Sequence, residues 1–486
     1  MRCVHGPVAM LLSALLLGVA GQQLFFARAA GLNVLLATAL LLTAAWWLRP
    51  RSRRPDIADT WLPVGALTFA ALCAIRADAA VLAFNAGSAA ALAVAWIAAL
   101  GGARITRLDA RALVVEATDL IGGFIDRPAR LAQSTGAMAR QVRSRDGRLT
   151  RYAGGAALAC PFLIVFSALF ASADPVYGRR VNDLLDIWRD VFRDAGPRLL
   201  LFFAIAWLAA AALSKLARAP LSHPASGSPG RIPVETSTVL LVCVDLLFAA
   251  FVTLQIGYLF GGRDTIEAAG IPYSTYARRG FFELIGSASL VGALLFGVSL
   301  QARVRSRATT TLGLVLVALT LVVLGSAWYR LDLYQLAYGW TELRFYALAG
   351  IVFLALTLLI LGWCTLAQRM RYALQPLVGA ALLVAVGVNV LSPSAFVARA
   401  DLQRLIDPSG LPSDAERRMD PGYLVSLGDG AFPVLVELLP SLPQADRSLL
   451  SVRLRSTARG RASGPDGWES FNVDRARARG ALDAVP

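Results

Sequence analysis

The sequence has few of the residues that soluble enzymes use for metal binding and nucleophilic catalysis. It contains two histidines and five cysteines in 486 residues, and none of them has the spacing of a zinc site or of a disulfide framework. Lysine occurs once, at Lys215, so a phosphate-binding loop of the Gly-Lys-Ser/Thr type is absent. These shortages predict no metal ion and no cofactor.

Charge is also scarce. Only 16% of the residues are charged, 57% are hydrophobic and the mean hydropathy is +0.59, which is typical of integral membrane proteins. A net charge of +15 would suggest nucleic-acid binding in a soluble protein, but in a membrane protein the positions of the charges carry the information. We therefore expect the lipid bilayer as partner and no nucleic acid.

Long apolar runs recur along the chain. A hydrocarbon core about 30 Å thick requires roughly 20 apolar residues per helix. Runs near this length lie at 8–26, 31–48, 61–76, 80–100, 153–171, 198–214, 235–260, 281–300, 309–328, 345–367 and 375–391. They predict an all-α, polytopic helical membrane bundle of about 11 transmembrane helices. The first run has an alternative interpretation as a signal peptide, because a basic residue precedes it and small residues follow.

The composition divides the chain into four segments. We predict a four-span segment at 1–100, a basic cytoplasmic loop at 101–152, a seven-span membrane domain at 153–391 and a small helical tail at 392–486. In the tail, helical spacing of apolar residues between Tyr423 and Leu438 predicts a short helical pair like one repeat of a solenoid. One such unit buries little core, so we expect the tail to pack on the membrane domain or on a partner.

The distribution of basic residues predicts the orientation. With the N-terminus inside, the connections on the inner side contain 23 Lys and Arg residues, ten of them between Arg104 and Arg151. The opposite connections contain about 12, interspersed with acids. Cytoplasmic loops carry the excess of Lys and Arg. We therefore expect a multi-pass protein of the bacterial plasma (inner) membrane, with a cytoplasmic N-terminus and an extracytoplasmic C-terminal tail.

The connection between the seventh and eighth spans is the first candidate site. Pro272 suits the first turn of a helix, and the spacing then places Tyr276, Arg279 and Glu283 on one helix face that enters the bilayer. Arg279 and Glu283 can pair at i, i+4. Two interpretations stay open: an interfacial anchor with tyrosines at headgroup depth, or a ligand-facing site that also includes Arg278.

The connection between the ninth and tenth spans is the second candidate site, on the same outer side. Residues four apart predict a polar and aromatic stripe on one helix. The stripe consists of Arg330, Tyr334, Tyr338 and Glu342. Aromatic residues are common at membrane interfaces, but the interleaved charges of Asp332, Glu342 and Arg344 are costly there unless they serve structure or a ligand.

One ionisable residue lies inside a predicted span. Asp245 stands about ten residues into the seventh span. An intramembrane carboxylate is a functional candidate because its burial is costly. The alternative is a structural carboxyl that is hydrogen-bonded to a neighbouring helix, with Gln255 or Asn389 contributing.

Short strings between residues 155 and 475 match a pattern seen in known membrane proteins. They are Ser172–Pro175, Tyr258–Gly262, Tyr273, Tyr276–Glu283, Arg330–Tyr334, Ala337–Gly339, Leu343–Arg344, Pro393, Ala395–Phe396, Ala398–Arg399, Tyr423–Leu424 and Leu427. In these strings the chain resembles bacterial membrane proteins with the domain of unknown function catalogued as 4173, related to 4153. The resemblance implies a helical membrane protein and no activity. Ala400 and Asp245 depart from the pattern, which has Asn at both positions.

Three functional hypotheses stay open. We favour a non-enzymatic sensor, scaffold or accessory factor of a cell-envelope process, because the outer loops and the tail converge on one side and offer a surface to an envelope protein or a lipid-linked ligand. A secondary transporter would use Asp245 as a proton site. An envelope transferase would act on a lipid-linked substrate, with an acid such as Asp264, Glu283 or Glu342 as base and Arg278, Arg279 or Arg344 binding phosphate.

Overall fold

The computed structural model describes residues 6–142, 195–217, 232–260, 281–301, 306–409, 419–461 and 467–485, and these are mainly helical. The helices of the bundle are α1 (Pro7–Phe25), α2 (Leu32–Leu48), α3 (Trp61–Cys73), α4 (Ala79–Leu100), α5 (Ala110–Val142), α6 (Ala195–Ala217), α7 (Val234–Phe260), α8 (Phe281–Gln301), α9 (Arg307–Tyr338), α10 (Glu342–Leu366) and α11 (Leu374–Leu391). The tail contains α12 (Pro393–Ile406), α13 (Pro421–Ser426), α14 (Phe432–Leu438), α15 (Gln444–Arg461) and α16 (Val473–Asp483).

The predicted fold class is confirmed. Ten of the eleven apolar runs correspond to helices α1–α4 and α6–α11, while the run 153–171 lies outside the described residues. Within the described part, α1, α4, α6, α7, α9, α10 and α11 are long and apolar enough to cross a membrane, and α2, α3 and α8 contribute shorter apolar stretches. The protein is therefore built as a helical membrane bundle.

Small residues bring the helices close together. α3 packs along α4 through Ala66, Ala70, Ala89 and Ala93, all buried. Alanine at these positions lets two backbones approach, which is how helices associate where lipid is as apolar as the side chains. α9 packs against both α7 and α10 and buries Leu316, Leu324 and Leu331 in a second core region.

The segment 101–152 is not the simple loop that its basic composition predicted. Its residues 110–142 form the long helix α5, which packs against α1. The helix buries Glu116 and Arg127 and exposes Val114, Val115 and Ile121. An exposed apolar face opposite a buried charged one suits a helix at the membrane interface. This helix was not predicted from the sequence, and the cytoplasmic location of the segment stays a prediction.

Two acidic residues of α5 are paired with the single lysine of the chain. The Nζ atom of Lys215, at the end of α6, lies 2.6 Å from Glu116 Oε1 and 2.6 Å from Asp119 Oδ2. Arg127 also forms a salt bridge with Asp119. Burial raises the pKa of Asp119, but the two cations outweigh it and leave the pKa below its usual value. This network holds α5 against α6.

The tail is docked on the membrane bundle. The predicted helical pair is present as α13 and α14, and its core includes Phe432, Leu435 and Leu450 together with Phe345 of α10. Backbone hydrogen bonds join the start of α16 to two connections of the bundle: Val473 N–H donates to Ala74 O at 2.8 Å, and Leu32 N–H donates to Phe471 O at 3.0 Å. We call this end of the bundle the tail end.

Candidate functional site

The predicted α9–α10 site lies at the tail end, but the helix there ends earlier than the spacing predicted. α9 ends at Tyr338, Gly339 has a φ of +76°, and α10 begins at Glu342. The prediction of one continuous helical stripe from Arg330 to Glu342 is therefore wrong at Glu342. Glycine adopts the left-handed backbone without steric cost, which ends the helix at this point.

Three of the predicted residues contact one another. The rings of Tyr334 and Tyr338 are 5.1 Å apart between centroids, and the Arg344 guanidinium lies 4.1 Å from the centroid of Tyr334. Arg344 also donates to the carbonyl oxygens of Tyr338, at 3.3 Å, and Gly339. A cation at a helix C-terminus is favourable, and so is one over an aromatic face. Arg344 therefore joins the end of α9 to the start of α10.

A second guanidinium caps the same helix end from the tail. Arg404 donates through Nη1 to the carbonyl oxygens of Gln335 at 2.8 Å and Leu336 at 2.9 Å. Next to it, Asp401 Oδ1 accepts from Trp340 N–H at 2.7 Å. Burial raises the pKa of Asp401 to about 6, although the Trp340 amide and the Arg404 charge act in the opposite direction.

The remaining predicted residues are dispersed. Asp332 on α9 and Glu283 on α8 are exposed, and Arg330 is partly buried. The residues Tyr276, Arg278 and Arg279 lie outside the described residues. The structure therefore brings together the α9–α10 set and leaves its relation to Tyr276, Arg278 and Arg279 as a prediction.

Sequence reasoning missed a group of polar residues buried between the bundle and the tail. We call it the Asp78 cluster, and its members come from the α3–α4 connection, the α11–α12 junction and the tail. They are Arg76, Asp78, Ser392, Ser394, Gly430 and Asp474. The signal available in the sequence was Arg76-Ala-Asp78, a pair of charges between two apolar runs.

Arg76 joins three elements in this cluster. Its Nε donates to Asn389 O at 2.6 Å and its Nη2 to Val390 O at 3.3 Å, so it caps the C-terminus of α11. Its Nη1 lies 3.4 Å from Asp474 Oδ1 at the start of α16. Asn472 adds donated bonds to the carbonyl oxygens of Cys73 and Arg76, both at 2.9 Å. The tail is thus fixed to the bundle by buried polar contacts.

Asp78 has no such partner. It precedes α4, where an aspartate commonly caps the helix, but its side chain makes no cap hydrogen bond. The residue is 7% exposed, and neither carboxylate oxygen has a hydrogen-bond partner among the described residues. Burial raises the pKa of Asp78, and the Asp474 carboxylate raises it further, whereas the nearby Ser394 hydroxyl and the Arg76 charge act in the opposite direction. A buried carboxyl without partners is costly.

Gly430 closes the cluster from the tail side. A Cβ atom added there would lie within 2.3 Å of Ser394 Oγ and within 3.4 Å of Ser392 Oγ. Ser392 itself has a φ of +52°, a backbone conformation that non-glycine residues rarely adopt. Strained backbone and unpartnered buried polar atoms together are characteristic of functional sites.

An apolar groove lies between α4, α10 and α11, next to the cluster, and we call it the α4–α10–α11 groove. It encloses about 350 Å³. Its lining includes Phe84 on α4, Tyr346 and Gly350 on α10, and Asn389 on α11. Tyr346 interacts electrostatically with the carboxylates of Asp78 and Glu342. The groove and the charged groups at the tail end therefore share a residue.

Asp245 is buried in α7 but lacks the partners that the structural alternative required. It is 6% exposed, and neither carboxylate oxygen has a hydrogen-bond partner in the part of the chain that the structure describes. The side chain of Gln255 has no partner there either, and Asn389 is paired with Asn85. The expectation that Gln255 or Asn389 satisfies Asp245 is therefore wrong.

Metal binding finds no support in the described part of the chain, where no three His, Cys, Asp or Glu side chains are grouped as ligands. The apolar helices and the docked tail define a polytopic helical membrane protein. A family model described as "Domain of unknown function (DUF4153)" matches residues 63–438, and the chain belongs to this family. Its narrower relation to the domain catalogued as 4173 stays a prediction. No curated protein and no solved structure matches the chain.

Proposed function

We propose that this protein is a non-enzymatic sensor or scaffold of a cell-envelope process, held in the bacterial plasma membrane with its N-terminus in the cytoplasm and its tail outside. One observation carries the proposal. Arg76 bonds at the same time to the Asn389 carbonyl of α11 and to the Asp474 carboxylate of the tail. Energetic coupling between sites can be carried by such polar networks. A movement of α11 relative to α4 would therefore change the position of the tail through Arg76.

The tail offers a surface for a partner. On α15, Leu449, Val452, Arg453 and Arg455 are exposed. Exposed apolar side chains next to arginine are characteristic of protein interaction surfaces. The orientation rests on the excess of basic residues on the opposite side of the membrane, and it can be tested by labelling a cysteine placed at the exposed Ser448 with a membrane-impermeant reagent in intact cells.

The proposal is tested by replacing the gene with variants and measuring survival under envelope stress. Arg76→Ala removes the connection between α11 and the tail, and Asp474→Asn removes only the charge that Arg76 faces. Arg399→Ala is the matched control, because its salt bridge with Glu437 at 3.0 Å is exposed and contributes little. We expect the deletion strain, Arg76→Ala and Asp474→Asn to share one defect, and Arg399→Ala to behave as wild type, at equal protein amounts in the membrane.

The same strains separate this proposal from an enzyme. If the deletion strain lost a defined envelope lipid or glycan, or accumulated its precursor, the transferase hypothesis would replace the sensor. Normal survival of both the Arg76 and the Asp474 variants, in a strain where deletion is harmful, would contradict a role for the docked tail.

Asp245 favours a second candidate function. Asp245 is a buried carboxyl inside α7 without a hydrogen-bond partner among the described residues, and proton-coupled transporters use such carboxyls. Purified protein in liposomes should then show proton flux, followed with an internal pH-sensitive dye, that Asp245→Asn abolishes. Equal flux in the wild type and the variant, or none in either, would exclude this role for Asp245.

A further inference from the structure

We propose that the α4–α10–α11 groove binds an amphiphile with a primary-amine headgroup, with its acyl chain along the apolar walls and its ammonium group beside Glu342. Within the proposed function, this amphiphile is the ligand to which the sensor responds.

The groove suits an acyl chain. Apart from Tyr346 and the Asn85–Asn389 pair, its lining consists of alanine, valine, phenylalanine and glycine residues. Its volume of about 350 Å³ lies in the range of small-molecule sites, roughly 300–1,000 Å³. Phe84, which lines the groove, is 50% exposed. It belongs to α4, a helix long and apolar enough to cross the membrane. A chain can therefore enter sideways from the bilayer.

The charges at the tail end of the groove favour a cation. Asp78 stands two residues before Ala80, and Glu342 stands four residues before Tyr346; both Ala80 and Tyr346 line the groove. The two carboxylates repel each other, and neither has a salt bridge within the described residues. Glu342 is only partly buried and directly follows the Thr341 cap, so a headgroup can reach it. A primary ammonium carries three N–H donors. Placed beside Glu342, it would reduce the repulsion between the Glu342 and Asp78 carboxylates.

The guanidinium groups nearby direct their hydrogen bonds to other groups. Arg76 is bonded to the end of α11 and to Asp474. Arg344 contacts the end of α9 and a tyrosine ring, and Arg404 caps the same helix end. Arg76 also acts electrostatically on Asp78, and Arg404 on Asp401, but none of the three forms a salt bridge with Asp78 or Glu342 within the described residues. Glu342 is therefore the carboxylate that a ligand cation would neutralise.

The test compares lipid headgroups with the full-length protein. The protein is reconstituted in two kinds of nanodisc, one of phosphatidylethanolamine with phosphatidylglycerol and one of phosphatidylcholine with phosphatidylglycerol. It is then released from the nanodiscs in the mass spectrometer under native conditions, and the lipid molecules that stay bound are counted. Glu342→Gln and Asp78→Asn remove the two charges. Gly350→Leu fills the groove, where an added Cβ meets no atom within 4 Å. Gly379→Leu, on α11 away from the groove, and Asp332→Asn, at an exposed acid of α9, are the controls.

We expect the wild type to retain the ethanolamine lipid at least tenfold better than the choline lipid. Both charge variants should lose this preference, Gly350→Leu should lose the bound lipid of either kind, and both controls should behave as wild type. Equal retention of the two lipids by the wild type overturns the amine headgroup. Unchanged retention in Gly350→Leu overturns the groove.

The inference and the proposed function fail in different ways. Hydrogen exchange of the tail, residues 443–485, is measured with and without the ethanolamine lipid. If the lipid binds and tail protection stays the same, the ligand inference stands and sensing through this ligand fails. If the lipid does not bind, the ligand inference fails, and the survival of the Arg76 and Asp474 variants still decides whether the docked tail matters.

Discussion

Asn85 on α4 and Asn389 on α11 exchange two hydrogen bonds between their side chains inside the bundle. Asn85 Nδ2 donates to Asn389 Oδ1 at 2.8 Å, and Asn389 Nδ2 donates to Asn85 Oδ1 at 2.9 Å. Both residues are buried, and both line the α4–α10–α11 groove. The carbonyl of Asn389 is in turn the acceptor for Arg76. This pair therefore sets the spacing between α4 and α11. In the proposed function, a relative movement of these two helices is transmitted to the tail.

Replacing either asparagine alone should destabilise the bundle. In Asn85→Leu the buried Asn389 side chain loses both bonds to Asn85 and keeps only the bond from its Nδ2 to Ala385 O at 2.8 Å. We expect a cost of about 1 kcal/mol, since interhelical hydrogen bonds in membranes average ~0.6 and reach ~1.7 kcal/mol. Asn389→Leu should cost a similar amount, and the double variant should cost less than the sum of the two. Thermal unfolding in detergent provides the double-mutant cycle, and additive single effects would show that the pair does not couple.

Gly430→Ala should push the tail away from the bundle, because its Cβ would lie 2.3 Å from Ser394 Oγ. We expect a loss of about 1–3 kcal/mol in the stability of the docked tail, the usual cost of overpacking. Adding Ser394→Ala removes that oxygen and should restore most of the loss, because the next atom is 3.4 Å away. Limited proteolysis of the tail gives the readout.

Gly460→Ala is the control for this pair, because a Cβ at Gly460 on α15 meets no atom within 4 Å. It should leave proteolysis unchanged. A Gly430→Ala protein with wild-type resistance, or one that Ser394→Ala does not rescue, would show that the contact does not hold the tail.

The helices of the bundle were predictable because hydrocarbon requires long apolar runs, and such runs are visible in the sequence. Helix α5 was not, because Glu116 and Asp119 look solvent-exposed until Lys215, about 100 residues later, is brought beside them. The end of α9 was also missed. Residues from Arg330 to Glu342 keep helical spacing, and this spacing was given more weight than Gly339, a glycine whose positive φ ends the helix.

The Asp78 cluster was beyond sequence reasoning for a related reason. Its charged members, Arg76, Asp78 and Asp474, are almost 400 residues apart at the extremes, and each alone resembles an ordinary loop charge. The family match at 63–438 includes Arg76 and Asp78 but ends before Asp474. Local sequence patterns predicted most of the helices of the bundle, whereas contacts between residues far apart in the sequence are visible only in the three-dimensional structure.

Asp401 should make the stability of the protein depend on pH. Its pKa of about 6 in the folded state lies above the usual 3.8, so the folded protein binds more protons between these values. Stability is therefore greatest at the acid end and falls as the pH rises from about 4 to about 6, by at most roughly 3 kcal/mol at 1.36 kcal/mol per pKa unit.

Asp401→Asn cannot titrate but keeps the oxygen that accepts from Trp340 N–H. The variant should therefore lose part of the decrease in unfolding temperature that the wild type shows between pH 4.5 and pH 7, measured in detergent. Asp332→Asn, which replaces an exposed acid, should keep the wild-type profile. Identical profiles for Asp401→Asn and the wild type would show that Asp401 does not bind the extra proton.

Lys215→Met should be one of the most damaging substitutions in the described part of the chain. It leaves the Glu116 carboxylate buried and without its cation, 3% exposed, and breaking a buried pair from one side costs about 3–5 kcal/mol.

A second substitution shows whether the charge or the packing is responsible. Lys215→Met with Glu116→Leu replaces the pair by apolar side chains, and Asp119 keeps Arg127 as its partner. Because an apolar replacement of a buried ion pair is often neutral, we expect the double variant to recover most of the stability in thermal unfolding. Arg130→Met, which breaks an exposed pair with Asp126 at 2.9 Å, should cost at most about 0.5 kcal/mol. A double variant no more stable than Lys215→Met would mean that the lysine stabilises α5 by its packing and not by neutralising Glu116.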